Sequence, residues 1–298
     1  MSWAGAGREA ARLVRRAAWI AAGSALDWLY AGRAQISALA ARPALAPDPG
    51  AHAPPPGASA GGRRDSAPSP APPTGPRSGD LAVVRTTPGT PGGGLPAIVL
   101  VPGIYEPAAF LSPLREWLHE RGHRVVEVPA LGWNLHTVPA SAELVVQRLE
   151  ELGIRGAVLL AHSKGGLIGK QLMVSGPPGL AAGMIAVNTP FEGHRFSRLG
   201  PTEALRGFHT RHPVILSLAA ELEVNARIVT VSAEVDPVAM RGMRLAGARN
   251  LTVPVVGHFR ILGHPLFLAR LAEVLDTHRF PPLGAPEGET GSGNAARG

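Results

Sequence analysis

The stretch Ala157-Val158-Leu159-Leu160-Ala161-His162-Ser163-Lys164-Gly165-Gly166 decides the fold. An unbroken apolar run ends abruptly at a serine that is flanked by small residues, and a helix-forming segment follows. A continuous apolar run of this length is typical of a strand that is covered on both faces. The segment therefore predicts a buried strand that turns sharply into a helix at Ser163.

Short apolar runs and amphipathic segments alternate on both sides of this strand. The predicted strands are 81–86, 97–101, 123–128, 156–161, 184–187, 227–231 and 250–253. The predicted helices are 107–121, 140–152, 164–174 and 265–276. This alternation predicts an α/β protein with a doubly wound, mostly parallel sheet.

The turn at Ser163 imposes a steric requirement on its neighbours. Residues two before and two after a nucleophile on such a turn must be small, because their side chains would collide with the surrounding backbone. Ala161 and Gly165 meet this requirement. The turn also places Ser163 at the start of a helix, where backbone N–H groups stabilise a developing negative charge.

This segment resembles the nucleophile elbow of α/β-hydrolase lipases and esterases, usually written G-x-S-x-G. Ala161 replaces the first glycine, and in this respect the segment is similar to the elbow of small bacterial lipases of the Bacillus type. The resemblance covers 81–278 and implies an α/β-hydrolase fold with a short cap. It also implies that Ser163 is the nucleophile and that an acid and then a histidine follow it along the chain.

The acid is predicted to be Asp236, which follows the apolar run 227–231 through a short loop. A carboxylate in this position holds the catalytic histidine in the useful tautomer. Pro237 directly after it stops regular structure. Glu234 is the alternative acid, and either residue could also be a solvated loop carboxylate.

The general base is predicted to be His258, which follows Gly257 after the strand 250–253. The segment from Gly257 to Leu262 resembles the G-H-x-x-L-L segment that carries the catalytic histidine in such lipases, with isoleucine replacing the first leucine. His264 is the competitor. It stands before Pro265 at the predicted start of the last helix, where a capping role explains it better.

Two backbone N–H groups are expected to form the oxyanion hole, those of Lys164 and Ile104. The Lys164 side chain is expected to reach solvent. Gly103 before Ile104 allows close approach of the backbone. Pro102 stands where many relatives have histidine. His162 is expected to pack or to form hydrogen bonds, with no catalytic role.

A short insertion after Val187, extending to about residue 213, is expected to form the cap. Its apolar side chains could line an acyl pocket or merely pack within the cap. These side chains are Phe191, Phe196, Leu199, Leu205 and Phe208.

The chain is predicted to comprise an amphipathic helical segment at 1–42, a disordered Pro/Gly/Ala-rich linker at 43–80, the catalytic domain at 81–278 and a disordered tail at 279–298. Three readings of the helix stay open: docking on the domain or a partner, lying on a membrane surface, or a signal peptide that Asp27 and Arg33 interrupt. Because every predicted catalytic residue follows residue 80, residues 1–80 are expected to be dispensable for chemistry on a soluble ester.

Composition narrows the function further. The net charge is +7, but residues 1–80 hold nine arginines against five acidic residues, so no folded basic patch for nucleic acid is indicated. The chain has no cysteine, which excludes disulfides and thiolate chemistry. No zinc-like spacing or Gly-rich phosphate loop is present in the sequence, so neither a metal nor a nucleotide cofactor is expected.

These patterns together predict a carboxylic-ester hydrolase of lipase or esterase type that acts through an acyl-enzyme. The substrate is expected to be a small-molecule or lipid ester. Two alternatives stay open: an acyltransferase that uses the same triad, and a non-catalytic binding module on the same fold.

Overall fold

The computed structural model describes residues 3–40, 95–278 and 280. The predicted strand 81–86, the predicted linker 43–80 and nearly all of the predicted tail 279–298 lie outside these residues. The described residues belong to one compact unit.

A six-stranded sheet forms the centre of the molecule, and all of its strand pairs are parallel. The order across the sheet is β2-β1-β3-β4-β5-β6. The strands are β1 (Ile98–Val101), β2 (Val125–Val126), β3 (Ala157–His162), β4 (Ala181–Val187), β5 (Ile228–Val235) and β6 (Arg249–Val256). Every residue of β1 and β3 is buried, as their continuous apolar sequences predict.

Helices cover both faces of the sheet. They are α1 (Trp3–Ala40), α2 (Ser112–Glu120), α3 (Val138–Glu151), α4 (Lys164–Ser175), α5 (Glu203–Arg206), α6 (Pro213–Ala220) and α7 (Pro265–Thr277). Side chains of α3, α4 and α6 pack into the core on one face, and side chains of α2 and α7 pack into the core on the other. The predicted doubly wound sheet is confirmed.

Two predicted elements differ in detail from those observed. The predicted helix 107–121 is a 3-10 turn at Ala108–Leu111 followed by α2, because Pro113 favours the first turn of a new helix. The cap contains the short helix α5, and helix α6 follows the cap; neither helix was predicted. Gly122 and Gly153 have φ of 79° and 61° and follow α2 and α3, as expected for glycines that end helices.

The strand order fixes where a site can form. From β1 the chain passes to β2 on one side, and β3 lies on the other side of β1. Loops that leave the carboxyl ends of two such strands diverge and open a crevice between them. The loop after β1 and the turn after β3, which carries Ser163, border this crevice.

Helix α1 packs against the same end of the sheet. Its alanine-rich sequence favours a helix, and no proline interrupts it. Gly23 of α1 lies so close to Val256 that a Cβ atom would come within 2.4 Å of the valine side chain. The Trp28 and Phe259 ring centroids lie 5.8 Å apart. Of the three readings of this segment, the structure therefore supports docking on the domain.

Candidate active site

Ser163 occupies a strained turn between β3 and α4. Its φ is 52° and its ψ is −119°, a conformation that few residues other than glycine adopt. A Cβ atom on Gly165 would come within 2.1 Å of the Val101 carbonyl oxygen, so only glycine fits two residues after the serine. The steric argument from the sequence is confirmed at this position.

Asp236, His258 and Ser163 form a continuous chain of hydrogen bonds. His258 Nδ1 lies 2.7 Å from an Asp236 oxygen, and His258 Nε2 lies 2.9 Å from Ser163 Oγ. All three side chains are buried or nearly so, with Ser163 8% exposed. The structure thus brings together the three residues that the sequence singled out.

The Asp236 carboxylate is held in place from both sides. Its second oxygen accepts hydrogen bonds from the N–H groups of Val238 and Ala239, each at 2.8 Å. Burial alone would raise the pKa of Asp236, but the hydrogen bond and charge of His258 and these two N–H groups outweigh it and lower the pKa. Asp236 is therefore an ionised acceptor that orients the imidazole.

The rival residues lie elsewhere. Glu234 is exposed and forms an ion pair with Arg16 at 3.5 Å. The His264 side chain accepts a hydrogen bond from the Leu266 N–H at 3.3 Å and caps helix α7, as the sequence suggested. Neither residue is among the hydrogen-bond partners of Ser163 or His258.

The loop after β1 faces Ser163 across the crevice. Ile104 and Ser163 line the same cavity. Among the described residues, no hydrogen-bond acceptor pairs with the N–H of Ile104 or of Lys164. Gly103 donates its N–H to Glu106 at 2.6 Å, which fixes the start of the loop. Both predicted N–H donors are therefore free to bind an oxygen atom.

The Lys164 side chain does not reach solvent, and the sequence-based expectation was wrong. It is fully buried, and its ammonium group donates to the carbonyl oxygens of Asn134, at 2.7 Å, and His136. These carbonyls belong to the loop before α3, which covers the first turn of α4. Burial lowers the pKa of Lys164 to about 8. The side chain ties this loop to the turn that carries Ser163.

His162 and Glu106 form a buried ion pair that the sequence analysis did not identify. His162 Nδ1 lies 2.9 Å from the Glu106 carboxylate, and His162 Nε2 lies 2.9 Å from the His258 carbonyl oxygen. The His258 carbonyl oxygen can only accept, so Nε2 carries a proton, and the charge of Glu106 favours a second proton on Nδ1. Burial would lower the pKa of His162, but Glu106, the His258 carbonyl and Asp236 outweigh it and raise the pKa.

Asn188 links three parts of the site and was also missed. It follows β4 with a φ of 47°, and its amide nitrogen lies 3.1 Å from the carbonyl oxygens of both Gly257 and His258. Its side-chain oxygen accepts the Ala233 N–H at 2.8 Å. A polar residue directly after a buried strand was the available signal in the sequence.

Asp27 of helix α1 reaches the turn that carries His258. It is fully buried, and its carboxylate accepts the N–H groups of His258 at 2.8 Å and of Phe259 and Arg260 at 2.7 Å. The sequence analysis treated Asp27 only as an interruption of an apolar segment. An acidic residue within the apolar stripe of a helix was the signal that could have identified it.

An apolar cavity of about 380 Å³ opens above Ser163 and His258. The cap contributes Leu199, Leu205 and Phe208 to the wall of this cavity. For these three side chains, the structure therefore favours the prediction that they line a pocket over the prediction that they only pack within the cap. Phe191 instead packs in the core and is 5% exposed. The side chain of Phe196 lies outside what the structure describes.

Comparisons with known proteins identify the fold. No protein-family model matches the chain, and no curated protein matches its sequence. BpoC from Mycobacterium tuberculosis H37Rv, which carries the name non-heme bromoperoxidase, is similar in structure with a TM-score of 0.50 and 16% sequence identity, over 61% of this chain and 92% of that chain. Lipase BlEst2 from Bacillus licheniformis, in its mature form, gives a TM-score of 0.48 and 16% identity over 62% and 94% of the two chains.

At this level of identity the similarity to BpoC shows the fold alone. Together with the parallel sheet and its flanking helices, it shows that the chain has the α/β-hydrolase fold. The predicted fold class and the resemblance to α/β-hydrolases are confirmed at the level of the fold, and the catalytic roles that the resemblance implies stay predictions.

Proposed function

We propose that this protein is a serine hydrolase that cleaves carboxylic esters through an acyl-enzyme. Ser163 is the nucleophile, His258 the general base and Asp236 the residue that orients it. One observation carries the proposal: the hydrogen bonds from Asp236 through His258 to Ser163 end at the floor of an apolar cavity.

The geometry supports a standard acyl-transfer sequence. Ser163 Oγ attacks the ester carbonyl carbon while its proton passes to His258 Nε2, and Asp236 stabilises the imidazolium that forms. The N–H groups of Ile104 and Lys164 bind the oxyanion. When the tetrahedral intermediate collapses, the alcohol leaves with the proton from His258. Water then attacks the acyl carbon while its proton passes to His258. When this second tetrahedral intermediate collapses, the bond to Ser163 Oγ breaks, His258 returns the proton to Ser163, and the acid leaves.

The cavity favours an apolar group on the ester. Its volume of about 380 Å³ lies within the range of pockets that enclose small ligands. Leu199, Leu205 and Phe208 offer contacts to a hydrocarbon chain and no charge. A small-molecule or lipid ester with an apolar acyl chain fits this wall.

Covalent labelling of Ser163 tests the proposal. An organophosphonate is expected to add one phosphonyl group to the wild-type protein and none to Ser163→Ala, as measured by intact mass. Hydrolysis of p-nitrophenyl esters by Ser163→Ala is expected to fall by roughly four to six orders of magnitude, because triad residues act as a unit. The circular dichroism spectrum should stay unchanged.

Each alternative function predicts a different outcome. A binding module forms no phosphonyl adduct. An acyltransferase forms the adduct but transfers the acyl group to an added alcohol in preference to water. Ester turnover by Ser163→Ala at the wild-type rate would contradict the assignment of the nucleophile.

The outer face of helix α1 supports an anionic membrane surface as a partner. Leu29 and Ile36 are each 69% exposed on this helix, and Arg12 and Arg15 lie exposed upstream. Apolar side chains combined with arginines suit the boundary between water and anionic lipid. No helix among the described residues has the length and apolar character needed to cross a membrane.

Co-sedimentation with phosphatidylserine-containing vesicles tests this partner. The double variant Leu29→Ser/Ile36→Ser is expected to pellet less than the wild type, and binding of the wild type is expected to weaken as salt rises. Leu216→Ser on α6, where the leucine is 55% exposed, is the matched control. Equal pelleting of all three proteins would rule out this surface.

A further inference from the structure

We propose that Asp27 is a positioning residue for the general base, so that helix α1 is a structural component of the active site. This inference rests on the proposed function, because it assigns Asp27 a role in the action of His258. Asp27 contacts no reacting atom and acts through the backbone of the turn at 257–260.

The contact geometry is that of a carboxylate bound by a turn. One Asp27 oxygen accepts the N–H groups of Phe259 and Arg260, and the other accepts the N–H of His258. The turn approaches the carboxylate so closely that a Cβ atom on Gly257 would lie 2.6 Å from an Asp27 oxygen. Gly257 also has a φ of 138°, which glycine tolerates best. The glycine before the catalytic histidine thus makes room for Asp27.

The backbone of His258 is fixed from two sides. Its N–H donates to Asp27, and its carbonyl oxygen faces His162 Nε2 and the Asn188 amide. With both backbone groups bound, the imidazole is aimed by its own side-chain torsions alone. Its two nitrogens then meet Asp236 and Ser163. Loss of the Asp27 contact frees one side of this backbone.

The burial of Asp27 favours a role in geometry over a role in general stability. A buried carboxylate is unfavourable unless hydrogen bonds compensate it fully. Among the described residues no basic side chain forms an ion pair with Asp27, and its acceptor capacity goes to the three N–H groups of the catalytic turn. One turn further along the same face, Ala31 packs without any polar group. A helix that needed only to pack could use alanine at both positions.

The same helix also holds the opposite side of the site. Gln35, two turns after Asp27, donates its amide N–H to the Tyr105 carbonyl oxygen at 2.6 Å. Tyr105 directly follows Ile104, the proposed oxyanion donor, and has a φ of 60°. Helix α1 therefore contacts the turn of the base and the loop of the oxyanion hole together. If Asp27 positions the base, removal of residues 1–80 should lower turnover of a soluble ester, in contrast to the expectation from the sequence.

Asp27→Asn in the full chain, compared with Glu9→Gln, tests the inference. Asparagine has the same size but replaces one acceptor oxygen with an NH₂ group that opposes a backbone N–H. For Asp27→Asn we expect kcat per phosphonate-titrated site to fall about 10- to 100-fold with KM within about threefold. Glu9→Gln removes an acid from the exposed part of the same helix and should leave both constants unchanged.

A second readout separates positioning from stability. The proton NMR signal of His258 Nδ1–H, which reports the hydrogen bond to Asp236, should shift or broaden in Asp27→Asn and not in Glu9→Gln. Counting turnover per titrated site removes the effect of any unfolded fraction. If Asp27→Asn leaves no titratable site, Asp27→Glu serves as the milder variant, because it keeps the carboxylate but displaces it by one methylene, with an expected fall in kcat of several-fold.

The outcomes distinguish the two proposals. Wild-type kcat per site in folded Asp27→Asn, or in Asp27→Glu where that variant must serve, overturns the positioning role while leaving the proposed function intact. An activity loss that only matches the loss of titrated sites also overturns it, since the helix would then act on stability alone. Full ester turnover by Ser163→Ala would instead overturn the proposed function itself.

Discussion

The floor and the wall of the apolar cavity are built in different ways. On the floor, His258 is buried, and it and Asp236 behind it are bound on several sides by side chains and backbone groups from distant parts of the chain. On the wall, Leu199 is 80% exposed and belongs to a short turn of the cap. Backbone bonds within the cap segment, such as that from the His194 N–H to the Phe208 carbonyl oxygen, connect its two halves.

This contrast suggests that the rate of the chemical step and the choice of substrate depend on different parts of the proposed enzyme. Reacting groups must be held closely in place, because small displacements of a catalytic group are costly in rate. A wall that binds hydrocarbon needs only apolar area, which many side chains supply. Changes on the floor should therefore affect kcat strongly, and changes on the wall should alter the choice of substrate.

The largest effect is expected from the two histidines that the sequence left as rivals. His258→Ala should lose nearly as much ester turnover as Ser163→Ala, because it removes the base. His264→Ala should stay within about tenfold of the wild type, since it removes only a helix cap. Steady-state kinetics on one p-nitrophenyl ester ranks them, and the reverse order would place the base at the edge of α7.

An intermediate effect, on both stability and activity, is expected when the buried pair of Glu106 and His162 is broken by Glu106→Gln. In the wild type the pKa of His162 is raised by folding, so its stabilising contribution is complete below the ordinary histidine value and declines as pH rises through the folded pKa. Glu106→Gln removes the charge that raises this pKa. The difference in free energy of unfolding between the two proteins should therefore be larger at pH 6 than at pH 9.

Urea unfolding at a series of pH values measures this difference. Because Glu106 also binds the Gly103 N–H at the start of the oxyanion loop, kcat/KM should fall about tenfold in Glu106→Gln. Glu116→Gln, an exposed acid on α2, is the control. A difference in stability that does not vary with pH would show that His162 is neutral in the folded protein.

The smallest effect on activity is expected from a substitution in the wall of the cavity. Leu199→Ala should leave kcat/KM for p-nitrophenyl acetate within about twofold, and lower it for longer acyl chains by about three- to tenfold, since apolar contact area is lost. A chain-length series on both proteins measures the change. An equal loss on acetate would mean that the cap also supports the floor.

The sequence predicted those parts of the molecule that depend on local patterns. The buried strand before Ser163 and the glycine two residues after it were both identified from neighbouring residues, and the alternation of elements predicted the parallel sheet. The fold resemblance and the order of serine, acid and histidine then singled out Asp236 and His258.

The sequence did not reveal contacts that join distant segments. Asp27 and His258 are separated by 231 positions, and nothing in the residues around either one indicates that they are in contact. Glu106 and His162 lie 56 positions apart, and only the fold brings them together. The Lys164 side chain was wrongly expected to reach solvent. It is buried by a loop near Asn134 whose carbonyl groups accept its hydrogen bonds, and no sequence pattern indicates that contact.

The long separation between Asp27 and the turn it binds has a consequence for biosynthesis. Helix α1 is made before the sheet, but the N–H groups that satisfy its buried carboxylate are made more than 200 residues later. At roughly 5 to 20 residues per second, Asp27 waits on the order of 10 to 45 s for its partners. A nascent chain therefore lacks both the proposed base and the contact that positions it until residues 257–260 have been made and have met helix α1.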